Sequence, residues 1–314
     1  MDSVIIKEEH DVLQPKEEII EPEFEQLCVK SENVNDEDID KPEENIHHNN
    51  EQYLITHPDA LKELCGFSDI QMFEALLIYI QDDMPLVKGA SKYEQLVGVL
   101  AKLHTDEDTA ILSPYLFPTV YITIVELLYD KLSTLCKNST YSSPLPSVFM
   151  PEFDSTQRVI ILGFLLISIR STFEEFPENL HTVKYLIAYS PFGEVTFVSN
   201  AYVGSDSNFS LILSCGLLQK VKADDWILFN ENSFTYISQV KQVSIKNKNK
   251  SQLNSAPIAE HMFKVVSRLN EHFKVLQSFI PDFMLQHQNG VCFLDKLVFV
   301  CCMLLNMLPR VVYS

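Results

Sequence analysis

A chain of 314 residues with 46% hydrophobic residues can bury a sizeable core, and its length suits two domains plus a tail. Residues 1–51 hold 17 Asp and Glu against 4 Lys, so about −13 of the formal charge of −19 lies there and roughly −6 remains for the rest, which has four arginines. That balance argues against nucleic acid as the preferred ligand, because binding it requires cationic surface that releases counterions.

Seven cysteines, with no C-x-x-C pair and no His at zinc-ligand spacing, read as buried free thiols, and Cys301 and Cys302 adjoin within an apolar run. The opening MDSVIIKEEHD has no basic start followed by an apolar stretch, so no secretory leader is expected. The sequons at Asn138, Asn208 and Asn249 then meet no glycosylating compartment, and a nuclear or cytoplasmic location is the expectation. The apolar runs near 159–169 and 297–308 fall short of the roughly 20 residues that cross a bilayer, so no membrane partner is expected.

In chain order, residues 1–52 contain one aromatic, Phe24, and no glycine, which predicts a disordered acidic tail. Two stretches of it, Ile6-Lys7-Glu8-Glu9 and Val29-Lys30-Ser31-Glu32, fit the aliphatic-Lys-x-Glu acceptor of SUMO conjugation, with Lys7 and Lys30 as acceptors. The bland alternative is a solvated Glu-rich tail in which the pattern recurs by chance.

From 53 to 150 the period is helical. THPDALKELCG predicts a short helix capped by Thr56 or Asp59 and stopped at Gly66, and SDIQMFEALLIYI and YEQLVGVLAKL predict two more. In TVYITIVELLYDKLSTL, the apolar residues Val120, Ile124, Leu127, Leu128, Leu132 and Leu135 recur at helical spacing. Pro144, Pro146 and Pro151 mark a linker.

From 151 to 314 strands come first: RVIILGFLLISI (158–169), KYLIAYS (184–190) and EVTFVSN (194–200), the last two joined as a hairpin through SPFGE. FSLILSCGLLQK predicts a helix, WILFN a fourth strand and KNKNK (246–250) a loop, before closing helices at about 258–277 and 293–308. The fold class expected is α/β, with a mixed sheet behind an all-helical module.

The block HTVKYLIAYSPFGEVTFVSN resembles the catalytic domain of PIF/Harbinger-type transposases, which are DDE superfamily endonucleases with a ribonuclease-H-like fold. MPEF with RVIILGF, CGLL with WILFNENSF, FKVLQ and CCMLLNMLP agree in the same order, and the upstream helices resemble the family's helix-turn-helix region, so the similarity spans about 53–312.

What the resemblance implies for chemistry turns on three carboxylates that hold two divalent metal ions about 4 Å apart. The first matches Leu162; the second matches Glu231 or, one residue shifted, Asn230; the third matches Val266. The family's S-D-K matches Ser207, Asn208 and Phe209, with Asp206 one residue earlier. No catalytic site, metal or cofactor is therefore expected. The alternative is an endonuclease that recruits Asp206, Asp224, Asp225 and Glu231 around Mg²⁺ or Mn²⁺, and the competing reading of these is loop carboxylates facing solvent. Recognition helices carry basic and polar groups, yet FPTVYITIVELLYDKLSTL has no basic residue before Lys131, and its Tyr121, Ile122 and Ile124 look like core or contact residues. The resemblance implies a catalytically inactive binding or regulatory protein with protein partners. A non-cleaving DNA-binding module using the KNKNK loop is the other alternative.

Overall fold

The computed structural model describes residues 57–106, 118–136, 145–153, 158–170, 181–203, 207–222, 225–229, 256–288 and 291–311. The acidic tail with Lys7 and Lys30, the loop residues Asp206 and Asp224, and the stretch 230–255 with Asn230, Glu231 and KNKNK lie outside them.

Helix α1 (Pro58–Cys65) starts without the expected Thr56 or Asp59 cap: His57 takes the N-cap position, and its side chain does not cap the helix. Pro58 removes one of the amides that would need a cap, and Asp59 sits inside the first turn, where its charge opposes the helix dipole. The helix stops at Gly66, in the left-handed region at φ 76°. Helix α2 (Ile70–Ile80) begins on Asp69, whose carboxylate accepts from the Gln71 amide at 2.9 Å. Helix α3 (Lys92–Thr105) opens with a capping box: the Glu94 amide donates to Ser91 Oγ and the Ser91 amide to Glu94 Oε2. Phe73 of α2 packs edge-on against Tyr93 of α3 at 5.0 Å. Helix α4 (Pro118–Cys136) buries Ile124, Val125 and Leu128 and keeps Tyr121 and Ile122 half-buried, the core and contact roles expected of them.

The strands form the mixed sheet that the sequence predicts. β1 (Val159–Arg170) pairs antiparallel with β2 (His181–Tyr189), which pairs antiparallel with β3 (Val195–Val198) through the SPFGE turn and with the short β4 (Tyr202–Val203). β5 (Trp226–Leu228) runs parallel to β1 on its other side, giving the order β3-β2-β1-β5 expected of a ribonuclease-H-like sheet. The first half of β1 is buried on both faces, which explains its unbroken apolar run. Val159, Ile161, Leu165, Ile167 and Ile169 enter the main core, whereas Ile160 and Leu162 enter a second cluster under helix α5 (Asn208–Ser214).

Helix α6 (Ala256–His272) ends five residues before the expected Gln277, because Phe273 turns to extended backbone and buries its ring, and a single 3-10 turn follows. β6 (Ile280–Pro281) adds to the far end of β1, β7 (His287–Gln288) and β8 (Val291–Cys292) form a small ribbon, and helix α7 (Phe293–Asn306) closes the fold. Helix α7 is buried nearly all round and lies between the sheet and α4. Tyr121 meets Phe293, Glu126 pairs with Lys296 at 2.6 Å and Tyr129 meets Phe299, so α4 and α7 run in the same direction. The main core runs without a break from Leu61 to Leu305, joining the helical module to the sheet.

At one seam of that core, His104 Nδ1 of α3 lies 2.5 Å from the His272 carbonyl of α6, and the two rings lie 4.7 Å apart, tilted by 50°. A Cβ on Gly66 would fall 2.3 Å from His272 Nε2. Gly66→Ala combines that clash with a left-handed backbone, so urea denaturation should show a loss of about 2 kcal/mol or more at constant m. Burial, then the nearby His104, Arg268 and Lys274, push the His272 imidazole down to about 4 from its usual 6.5. The unfolded chain therefore binds the extra proton first. Stability from this group is fully present above about pH 6.5 and falls progressively as pH drops toward 4, by no more than about 3 kcal/mol given the partial exposure of the ring. Unfolding free energies at pH 7.5 and 5.0 should differ less in His272→Gln than in the parent chain.

Candidate functional site

Sheets with parallel strands expose ligand sites at the carboxyl ends of those strands. Among the described residues β1 and β5 form such a pair, and their register Ile161↔Leu228 brings the end of β5 beside Leu162 and Gly163. Leu162 is 3% exposed and packs with Ile160, Ile227, Phe229, Leu186 and Leu211 on the α5 face of the sheet. Val266 lies on the opposite face. It projects from α6 onto β1 so closely that a Cβ on Gly163 would meet its Cγ1 at 2.8 Å and the Tyr189 ring at 3.0 Å. Only a residue without a side chain admits that contact. The positions read as first and third carboxylates are thus separated by the thickness of the sheet, and nothing brings them together.

The wider inventory of carboxylates leads the same way. β1 contains no Asp or Glu, so neither of its faces can supply one whichever register is chosen. On α6 the inward residues are Ile258, His261, Met262, Val265 and Leu269, while Glu260 and Glu271 are exposed and Glu260 pairs with Lys264 at 2.8 Å. Asp225 is buried but committed: it lies 3.3 Å from Arg158 and accepts from the Lys222 amide at 2.8 Å, at the start of β5 rather than its end. Among the described residues no group of three or more His, Cys, Asp or Glu could hold a metal ion.

Other reactive groups are built into the fold. His261 is fully buried, with Nε2 2.5 Å from the Pro191 carbonyl and its ring edge-on to Phe149. Cys65, Cys215, Cys292, Cys301 and Cys302 are free, and burial raises Cys65 to about 12 and Cys292 to about 11, so neither of these two thiols is a nucleophile at neutral pH. Asp295, at the start of α7, accepts from Tyr185 Oη and from the Ala201 amide, each at 2.8 Å, tying β2 and the β3–β4 connection to the helix. Sequence reasoning missed this anchor, although a lone Asp in the apolar run FLDKLVFVCCMLL was the signal for it. A cleft of about 450 Å³ opens between that connection and α5, lined by Asn200, Tyr202, Ser214, Gln219 and Lys220. Arg268 of α6 donates to the Gly193 and Pro309 carbonyls at 3.4 and 2.7 Å, fixing the hairpin tip to the C-terminal segment.

A family model described as DDE superfamily endonuclease matches residues 172–306. The matched segment begins just after β1 and runs to the last residue of α7, so it includes Glu231 and Val266 but not Leu162. No curated protein matches the chain. The matched segment therefore carries the sheet from β2 onward and the closing helices, whereas β1, which precedes it, holds only apolar residues around Leu162.

A carboxylate at Leu162 would be stranded in an apolar cluster. Leu162→Asp should cost about 3 kcal/mol or more in urea denaturation, and millimolar Mn²⁺ should not restore the midpoint.

Proposed function

We propose that this chain is a transposase-derived protein that binds rather than cleaves, with its endonuclease-like domain serving as a scaffold in a regulatory, nuclear role. The observation that carries this reading is the apolar strand β1: two-metal hydrolysis needs carboxylates converging from the first strand, the second parallel strand and the late helix, and β1 offers none on either face. The inward face of α6 is likewise apolar around Val266.

The helical module supports binding to protein more than to DNA. Helix α4, which resembles a recognition helix by position, uses Tyr121, Glu126 and Tyr129 to hold α7, and its Lys131 is paired with Asp83. Its exposed residues Thr119, Thr123, Asp130, Thr134 and Leu135 include no cation. With a net charge near −6 outside the tail, the chain has little electrostatic reason to track a phosphate backbone. In this reading Lys7 and Lys30 of the acidic tail serve as SUMO acceptors that regulate partner choice.

A calorimetric Mn²⁺ titration of the full chain tests the central claim. No heat of binding up to millimolar Mn²⁺ is expected, together with no cleavage of supercoiled or linear DNA. Stoichiometric heat that disappears in an Asp206→Ala, Glu231→Ala variant would overturn the reading in favour of a nuclease with shifted carboxylates.

A further inference from the structure

Helix α2 has two apolar faces, and the fold uses one of them. Phe73, Leu76 and Ile80 point into the core. On the other side Met72, Ala75, Ile78 and Tyr79 are exposed, with Ile78 at 66%, Tyr79 at 40% and Met72 at 37%. Spacing of three, four and seven residues makes them a continuous stripe, where a surface helix ordinarily carries polar side chains. The stripe continues onto α4: Tyr79 Oη donates to the Lys131 carbonyl at 3.3 Å, and Leu135, one turn further along, is 53% exposed.

Carboxylates outnumber cations around the stripe, where Lys131 pairs with Asp83 and lies 5.8 Å over the Tyr79 ring. Glu74 lies on the outer face of α2, and Asp69, Asp82 and Asp83 flank its two ends; α2 itself has no Lys or Arg. A second copy docked face to face would set these carboxylates against each other, and the acidic tail of the same chain carries the same sign. The complement is a cationic amphipathic element.

We propose that the outer face of α2, with Leu135 of α4, is a docking site for an amphipathic helix of a partner protein that presents aliphatic residues at helical spacing between Lys or Arg flanks. This rests on the reading of the chain as a binding protein and names the surface that binds. Ile78 and Met72 form the apolar centre, Tyr79 supplies an aromatic wall, and Glu74 and Asp82 orient the partner through its cations.

The test uses the full chain and a fluorescein-labelled synthetic peptide of about five helical turns, with Leu on one face and Lys on the other, against a Leu/Glu peptide of the same pattern. Anisotropy should show the Leu/Lys peptide binding at least about tenfold more tightly than the Leu/Glu peptide, and a Met72→Ser, Ile78→Ser variant weakening it at least about tenfold with an unchanged urea midpoint. Glu74→Lys with Asp82→Lys should reverse the preference between the two peptides. Undiminished binding by the Met72→Ser, Ile78→Ser variant would place the peptide on the acidic tail and overturn the site, as would equal binding of both peptides. A silent Mn²⁺ titration alongside such a failure removes only this surface, whereas metal binding with DNA cleavage removes the broader reading and leaves the peptide result standing by itself.

Discussion

Helix α7 carries apolar side chains around its whole circumference, from Leu294 through Leu305, and must therefore be covered on every side. The sheet covers it from one direction and α4 from the other, so the helical module cannot leave without exposing the helix that the sheet also depends on. The ladder of Tyr121 with Phe293, Glu126 with Lys296 and Tyr129 with Phe299 sets the register of that contact. At the two ends of α7, polar side chains connect it to the sheet. Asp295 gathers Tyr185 and the Ala201 amide, and the Asn306 amide bonds both polar groups of Val195 at 2.6 and 3.0 Å, acting as an added strand residue. Burying the Asp295 carboxylate is tolerable because two donors converge on its Oδ1, and the half-buried Asn306 amide is matched by both polar groups of Val195.

The same economy shapes the candidate site. A helix can rest on β1 only where β1 has no side chain, and Gly163 supplies that place for Val266. Once the contact is made, the space between helix and strand is filled by methyl groups, and the opposite face of β1 is filled by α5 and Phe229. Chemistry that needs a hydrated, charged cleft has no room beside Leu162. In the proposed reading, binding falls to surfaces that the core leaves unused, the outer stripe of α2 among them.

Much of the architecture was legible because local signals and global folding agreed: Gly66 ends α1, Ser91 and Glu94 start α3, SPFGE turns the β2–β3 hairpin, and alternation in the later half of β1 separates core from solvent. Boundaries were less legible. Phe273 ends α6 to bury its ring in the tertiary core, which no local pattern announces, and Pro58 made the predicted cap of α1 unnecessary. The resemblance led to the expectation that Leu162 stands at a carboxylate position, but the face on which Leu162 lies could not be read, because a strand with apolar residues on both sides gives no parity signal. Asp295 and Arg268 escaped notice for the opposite reason: their partners, Tyr185, Ala201, Gly193 and Pro309, are remote in sequence, so their roles exist only in three dimensions.

The contact between Gly163 and Val266 also bears on evolutionary history. A hydrated metal pair needs several ångströms of open space, and a helix seated on bare strand backbone leaves none. Trimming Val266 alone opens a void, introducing an acid alone strands a charge, and moving the helix alone breaks its grip on the hairpin tip through Arg268. Every single step toward a metal centre lowers stability before any step yields function. Under the proposed reading, a lineage with this packing is held there by a fitness valley, and the loss of an acidic centre would behave as a ratchet rather than as a switch that one reversion could turn back.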